Sequence, residues 1–496
     1  MLKTVSIPKP RNDYSEKTVG IENFDFKIKV NGQPVTCYSS RCSKVPFNRI
    51  YEGTQRNIEQ SEVIGHVSFE SDEPVTVEVE TKKSFCRALV RPLSKNVDVK
   101  VENGKATFVL EKFGQYSLEF DDEHNSVSIF FNELKEFHGK EYYTHYFGAG
   151  CHLVGLLSLK SGDKVYVDKD AILFGGIYAK DADGIVIEGY GTINGKGLER
   201  IDRGFFNCGN IKMENCNDVK INGVIMQDSS FWVASFFDCS NIEINNVKIT
   251  GQWRYNTDGI DLVNCKNVIL KNSFIHAFDD VVVIKAYSQF EDVKNEVVEN
   301  IIVKDCVLWC NWGRTIEIGI ETVAKEYKNI TFTNCDLIHN SASAIDVQNG
   351  DCASIHDLTI ENVNVELQNS TMPEIYQETL EQVYDGYGKI GMPYLIWIDN
   401  HKYKLGNGFT AYDKKLKEFT GGKNVFGNVY DVVIKNINVY AEDGLPKLKI
   451  KIFSHDEENS FKDITIKNVM VNGKQAKLDM FDAQIDERIK NLSIFD

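Results

Sequence analysis

Residues 216–276 read CNDVKINGVIMQDSSFWVASFFDCSNIEINNVKITGQWRYNTDGIDLVNCKNVILKNSFIH, and one short phrase occurs in them three times. CNDVKINGVIMQ starts at Cys216, CSNIEINNVKIT at Cys239 and CKNVILKNSFIH at Cys265. Each runs Asn or Asp, then alternating aliphatics, then Asn or Gly. Outward from there lie ADGIVIEGYGTI (Ala182), VENIIVKDCVLW (Val298), YKNITFTNCDLI (Tyr327), IHDLTIENVNVE (Ile355), VYDVVIKNINVY (Val429) and FKDITIKNVMVN (Phe461). Successive starts differ by 34, 23, 26, 33, 29, 28, 74 and 32 residues. A coil-length period of alternating aliphatics with Asn or Gly at one turn predicts a parallel β-helix, in which each coil buries its aliphatics against the next. The Asn positions tolerate left-handed backbone angles and can stack as a ladder. Cys216, Cys239 and Cys265 share one repeat position, where cysteine acts as a small buried hydrophobe.

The 74-residue step marks an insertion at 367–424, rich in aromatics. So long an excursion either walls a groove or makes a subunit contact, and the residues leave both open. Ahead of the repeat, from Phe24 to about Leu134, runs such as DFKIKVNG, EPVTVEVETK and NVDVKVENGKATFVLEK alternate with period two between Asn-Gly and Asp-Asp turns. That pattern predicts an antiparallel β-sandwich in an N-terminal domain, 1–140, with no catalytic constellation. The expected fold is all-β: this sandwich, then a β-helix domain over 146–496.

The chain carries 72 acidic against 56 basic residues, a net charge of −16, which disfavours nucleic acid or an anionic membrane surface as partner. No run of about 18 apolar residues occurs, and the first residues, MLKTVSIPKPRNDYSEK, lack the apolar core of a secretory signal. The expectation is a cytoplasmic protein if the chain is full length, and a secreted one if a signal segment has been removed. A homo-oligomer through 367–424 or the N-terminal domain is compatible with the sequence. Twelve cysteines in 496 residues do not make a disulfide scaffold, and their spacing matches no metal site.

Chemistry concentrates in Trp253–Lys285. Asp258 lies in NTDG, and Asp279 and Asp280 follow in FDD, 22 residues from Asp258 to Asp280. One coil is about that long, and parallel strands stack at roughly 4.8 Å, so three carboxyls are expected in one patch. An Asp at a β-helix turn often only caps backbone amides. Three together repel one another, and their pKa values separate, which makes one an acid and another a base. Aligning SFWVASFF, NTDGIDLV, DDVVVIKA, GRTIEIGI and SAIDVQNG gives an inward column of Ala234, Ile260, Val282, Ile316 and Ile345. The outward column is Ser235, Asp261, Val283, Glu317 and Asp346, and beside it stand Trp232, Asp258, Asp280 and Arg314.

At these residues the chain resembles the polygalacturonase-type glycosidases of family 28 and their family 49 dextranase and isopullulanase relatives. Asn256-Thr257-Asp258 matches the N-T-D motif, Phe278-Asp279-Asp280 stands where the family has G-D-D, and the resemblance covers about 146–496. A preceding sandwich is more similar to family 49. The resemblance implies a right-handed helix and inverting hydrolysis: Asp279 protonates the leaving oxygen, while Asp258 and Asp280 activate water, with no metal or organic cofactor. Inverting enzymes keep acid and base roughly 6.5–9.5 Å apart. Two departures concern substrate. The G-H-G motif is Gly313-Arg314-Thr315, and the uronate-gripping R-I-K is Asp346-Val347-Gln348. Exchanging Arg and Lys for Asp and Gln removes the positive charge an acidic sugar requires. The expected substrate is thus a neutral poly- or oligosaccharide, with Asn256, Asp261, Lys285, Arg314, Glu317, Asp346, Gln348 and Trp232 as sugar contacts. Arg314 is expected to pair with the acidic cluster. The alternatives are a polygalacturonase on acidic pectin, a polysaccharide lyase, a fructan transferase, or a non-catalytic glycan-binding helix. A lyase would lose activity to a chelator, and a binding helix would survive Asp279→Asn.

Overall fold

The computed structural model describes residues 22–44, 61–200, 207–286, 295–368, 392–400, 410–423, 425–456 and 461–495, with Ile58 and the short strands 3–4, 47–49 and 375–377. Two sheets face each other at the N-terminal end. One joins Lys3–Thr4, Ser61–Ser71, Asp122–Glu133, Gly114–Phe120 and Ala88–Arg91, with Tyr38–Ser43 beside Ser61–Ser71; the other joins Gln33–Val35, Phe26–Val30, Val75–Thr81, Lys105–Leu110 and Lys100–Glu102. Alternation puts Val67, Phe69, Val77, Val79, Phe108, Leu118 and Ile129 into one shared core. The pairing is antiparallel except between Ser61–Ser71 and Asp122–Glu133, which run parallel.

From His145 to Ile494 a single continuous pairing links 31 strands. The fold is the expected all-β parallel β-helix. Its repeat has a direct conformational cause: Asp218, Asn241, Asn267, Asn300, Asn329, Asp357, Asp431 and Asp463, the third residue of each repeat copy, all have φ between 50° and 58°. Asn and Asp tolerate that left-handed geometry, and the chain turns a corner there in every coil. Ladder bonds follow, with Asn267 Nδ2 donating to Asn241 Oδ1 at 3.0 Å and Asn300 Nδ2 to Asn267 Oδ1 at 2.9 Å. The cysteines are free thiols; Cys216, Cys239 and Cys265 lie fully buried in the helix core.

The sandwich is bolted to the helix. Ile64 and Phe130 pack against Ile225, Phe274, Trp309 and Ile338. Buried Arg91 reaches Glu119 at 2.7 Å and also Glu366 of the helix, while Glu119 takes His339 Nε2 at 2.6 Å. Lys248, fully buried, donates to Asn132 Oδ1 at 2.5 Å and to Gly223 O at 3.2 Å.

The 367–424 stretch is not wholly an excursion. Tyr394–Asp399 pairs in register with Ser343–Asn349 on one side and Leu448–Phe453 on the other, a regular rung of the coil. Residues 410–420 form an α-helix, a feature no pattern in the sequence suggested; Leu416 and Phe419 pack beside Trp232, Phe237, Val263 and Val323. Most of the rest of the stretch, and nearly all of 1–21, lies outside the described residues.

Candidate active site

The site forms on the sheet that links Ala234–Phe237, Ile260–Val263, Val282–Ala286, Arg314–Thr322, Ser343–Asn349 and Tyr394–Asp399. Ile260, Val282, Ile316 and Ile345 fill the core in one column, and Asp261, Val283, Glu317 and Asp346 stand one residue on. Just before these strands, backbone bonds of 2.8 Å run from Val233 N to Asp258 O, Gly259 N to Asp280 O and Val281 N to Arg314 O. Asp258, Asp280 and Arg314 therefore occupy successive coils. Two glycines permit this approach. A Cβ on Gly259 would stand 2.4 Å from Val281 O, and one on Gly313 would stand 2.3 Å from Asp280 Oδ1 and 2.7 Å from Asp279 Oδ1. The same geometry turns a carboxylate oxygen of both Asp279 and Asp280 toward Gly313, no more than about 5.0 Å from each other, closer than the roughly 6.5–9.5 Å expected of an inverting acid and base.

Two cations hold the carboxylates apart in charge. Lys285 Nζ lies 3.2 Å from Asp258 Oδ2 and 3.2 Å from Asp261 Oδ1, the latter an ion contact off the hydrogen-bond axis. Arg314 gives its backbone N–H to Asp280 Oδ1 at 2.8 Å and sets its guanidinium 3.6 Å from that oxygen. The same guanidinium lies 3.7 Å from Asp346 Oδ2 and 4.0 Å from Glu317 Oε1. Gln348 Nε2 donates to Asp346 Oδ2 at 3.0 Å, and Asn256 Nδ2 approaches Asp279 Oδ2 at 3.5 Å.

Asp258, Asp279 and Asp280 are only 2, 5 and 6% exposed, so the burial cost of charge is large and small differences decide which group ionises. Burial pushes Asp279 well above the usual carboxylate range, and the charges of Asp280 and Asp258 push it further. Asp280 is buried too, but Arg314, a hydrogen bond with Glu317, and Lys285 outweigh that and hold it below the usual range. Burial raises Asp258 to about 6 against the pull of Lys285, and Asp346 to about 7 against that of Arg314. Asp261 and Glu317 are raised by burial and by neighbouring carboxylates. Adjacent residues are thus displaced in opposite directions, Asp279 toward its protonated form and Asp280 toward its ionised form. Asp258 Oδ1, Asp261 Oδ2, Glu317 Oε2 and Asp346 Oδ1 are buried with no hydrogen-bond partner among the described residues.

All the residues proposed from sequence meet in this one region, but their exposure differs from expectation. Asp261, Glu317 and Asp346 are 0, 1 and 0% exposed and lie against Lys285 and Arg314, so they are not open hydroxyl contacts. Trp232 is not an open sugar platform either. Phe231 and Phe237 stack on it at 5.1 and 5.8 Å, Lys285 Nζ sits 4.3 Å over its ring, and Leu416 and Phe419 close the same cluster. Trp312 is only half buried, stacks on Phe278 at 5.6 Å, and its indole N–H has no partner. Tyr394, Trp397 and Asp399 were set aside with the insertion at 367–424. Trp397 continues the Glu317–Asp346 column, and Lys451 Nζ bonds Asp399 Oδ2 at 2.8 Å. Matching YLIWIDN to SAIDVQN would have found them. Among the described residues no set of three His, Cys, Asp or Glu side chains has metal-holding geometry, and no helix is long and apolar enough to cross a membrane.

Known proteins resemble this chain in sequence and in fold. An Arabidopsis thaliana protein described as a probable polygalacturonase is 29% identical over 177 residues, 34% of this chain and 35% of that protein. An Arabidopsis exopolygalacturonase is 26% identical over 283 residues, 53% of this chain and 60% of its own length. The chain thus spans between about a third and three fifths of these curated relatives. Dex49A of Penicillium minioluteum superposes with a TM-score of 0.64 over 99% of this chain and 96% of its own, at 12% identity, a likeness of fold alone. The model of the glycosyl hydrolases family 28 matches residues 155–439, more than half of the chain and every carboxylate described above. The chain belongs to the glycosyl hydrolases family 28.

Proposed function

We propose that this family 28 glycosidase cleaves a neutral poly- or oligosaccharide with inversion, Asp279 acting as general acid and Asp280, with Asp258, as the base that activates water. The observation that carries this reading is the unequal setting of two adjacent buried carboxyls: Arg314 gives Asp280 Oδ1 its backbone N–H at 2.8 Å and sets its guanidinium 3.6 Å away, which favours ionisation there, while burial and the charges of Asp280 and Asp258 favour the protonated form of Asp279. Glycoside hydrolysis needs one protonated and one ionised carboxyl across the scissile bond. Asp258, poised at about 6, shares the ionised role above that pH. Asn256 orients Asp279, Lys285 steadies Asp258, and Arg314 keeps Asp280 ionised.

The neutral substrate is supported by how the site's cations are used. Lys285 and Arg314 each face two or three of the chain's own carboxylates, and Gln348 donates to Asp346 rather than into open space. A uronate would have to compete with buried internal anions for either cation, at a cost of several kcal/mol. A second reading, an acidic pectic substrate, is favoured by the polygalacturonase names of the relatives. The test is a screen of dextran, other glucans, fructans and galactans against galacturonan, with product anomers followed by NMR. Hydrolysis of a neutral glycan with inversion is expected. Cleavage of galacturonan alone would replace the substrate, and retention would overturn the mechanism.

A further inference from the structure

A cavity of about 470 Å³ lies between the sandwich and the helix, away from the carboxylate groove and sharing no residue with it. We propose that this trench is a second, non-catalytic binding site for a neutral saccharide chain. Its floor is the helix turn, where Asn245, Asn272, Asp305 and Asn334 stand on four consecutive coils. Asn272 Nδ2 donates to Asn245 Oδ1 at 2.8 Å and Asn334 Nδ2 to Asp305 Oδ1 at 3.3 Å. A side-chain amide has two N–H groups and two lone pairs, and a ladder uses one of each. The remaining amide groups of Asn245, Asn272 and Asn334, with the Asp305 carboxylate as an acceptor among them, form a row repeating at about 4.8 Å, suited to the hydroxyls of an extended sugar chain.

The wall is the tip of the turn that carries the chain from Lys105–Leu110 in one sheet of the sandwich to Gly114–Phe120 in the other. Gln115 Nε2 fastens that tip to Asn246 Oδ1 at 2.8 Å, and Tyr116 Oη donates to Lys112 O at 3.1 Å. Gln115 is 6% exposed, and its Oε1 is buried at this wall without a partner. Phe113, at the rim of a tip held so firmly, is 56% exposed, a large apolar side chain with its ring open to the trench. The C–H face of a pyranose covers such a ring and buries area neither partner would otherwise hide. Charge selects the class. Three lysines (95, 112 and 135) and three carboxylates (Glu133, Asp305 and Asp336) line the cavity, and Lys95 already lies 3.3 Å from Asp336. A balanced, amide-floored cavity of this size, within the usual range for ligand sites, fits an uncharged sugar better than a uronate or a phosphate.

The experiment is affinity electrophoresis of the full chain carrying Asp279→Asn, in gels containing dextran, β-glucan, galactan or galacturonan. At least one neutral glycan should retard the protein. Phe113→Ala, at an exposed turn, should weaken that retardation roughly tenfold, the loss of about one aromatic contact. Phe113→Trp should keep it, and mobility in galacturonan should not respond to either. Equal retardation of the Phe113→Ala protein on every gel, or no retardation by any neutral glycan, overturns the proposal. Hydrolysis of a short oligosaccharide by the Asp279 chain should be indifferent to Phe113→Ala; a loss there would put Phe113 in the groove and refute a separate site.

Discussion

Each coil of this helix is stacked twice, once in amides and once in acids, and the two stacks behave in opposite ways. At the turn, Asn241, Asn267, Asn300 and Asn329 each donate to the residue one coil below, at 2.7, 3.0, 2.9 and 3.1 Å. On the sheet face, Asp258, Asp261, Asp280, Glu317 and Asp346 crowd onto neighbouring coils, and all but Asp280 leave a buried oxygen without a partner among the described residues. An amide both donates and accepts, so repeating it along the axis satisfies every member. A carboxylate only accepts, so repeating it accumulates like charge in a desolvated place. Lys285 and Arg314 relieve part of that repulsion, and the upward shift of Asp279 toward its neutral form relieves more. One geometry gives rigidity with Asn and reactivity with Asp.

The contrast breaks most visibly at Asp279. Asp279→Asn should lower kcat by about 10³-fold while leaving Tm unchanged or raised, because a buried group that resists ionisation has been replaced by one that never ionises. Activity with a falling Tm would mean the acid stack is structural like the amide stack. Arg314→Met should be next in size. It strips Asp280, Glu317 and Asp346 of their shared cation, costs about 3 kcal/mol in denaturant unfolding, and raises the pKa on the acid limb of the rate profile. In the unsubstituted chain that limb should reflect Asp258 at about 6, with activity rising as pH climbs through it.

On the amide side, Asn267→Ala leaves φ 55° without the short polar side chain that makes it tolerable and removes two ladder bonds. It should cost about 2 kcal/mol of stability without changing kcat, read by calorimetry and initial rates. A last effect, confined to high pH, concerns Asp346. Its folded value of about 7 lies above the unfolded value near 3.9, so the folded state binds the proton more tightly. Its contribution is fully present below about pH 4 and lost as pH rises to 7. Asp346→Asn should therefore raise Tm above pH 7 by a few degrees and change nothing at pH 4.

How far the sequence reached follows from the same contrast. The amide stack was legible because each left-handed corner demands Asn or Asp, so the demand repeats along the chain at Asp218, Asn241, Asn267 and onward. The three carboxylates were legible because Asp258 and Asp280 are one coil apart. Their charge states were not, since they depend on Arg314 and Lys285 reaching across coils of unequal length. Trp232 read as an open platform because its cover, Leu416 and Phe419, lies nearly 200 residues further on. The rung at Tyr394–Asp399 was hidden by the unequal excursions on either side of it.

The central claim is that neighbouring residues on one coil hold opposite charge states, and carboxyl-carbon NMR titration of ¹³C-aspartate-labelled protein tests it without any substrate. Signals are assigned by Asp279→Asn and Asp280→Asn. The account predicts that at pH 7 the Asp279 carboxyl is still protonated and Asp280 already ionised, and that Arg314→Met moves Asp280 upward. Ordinary, coincident titration of the two near pH 4 would contradict it.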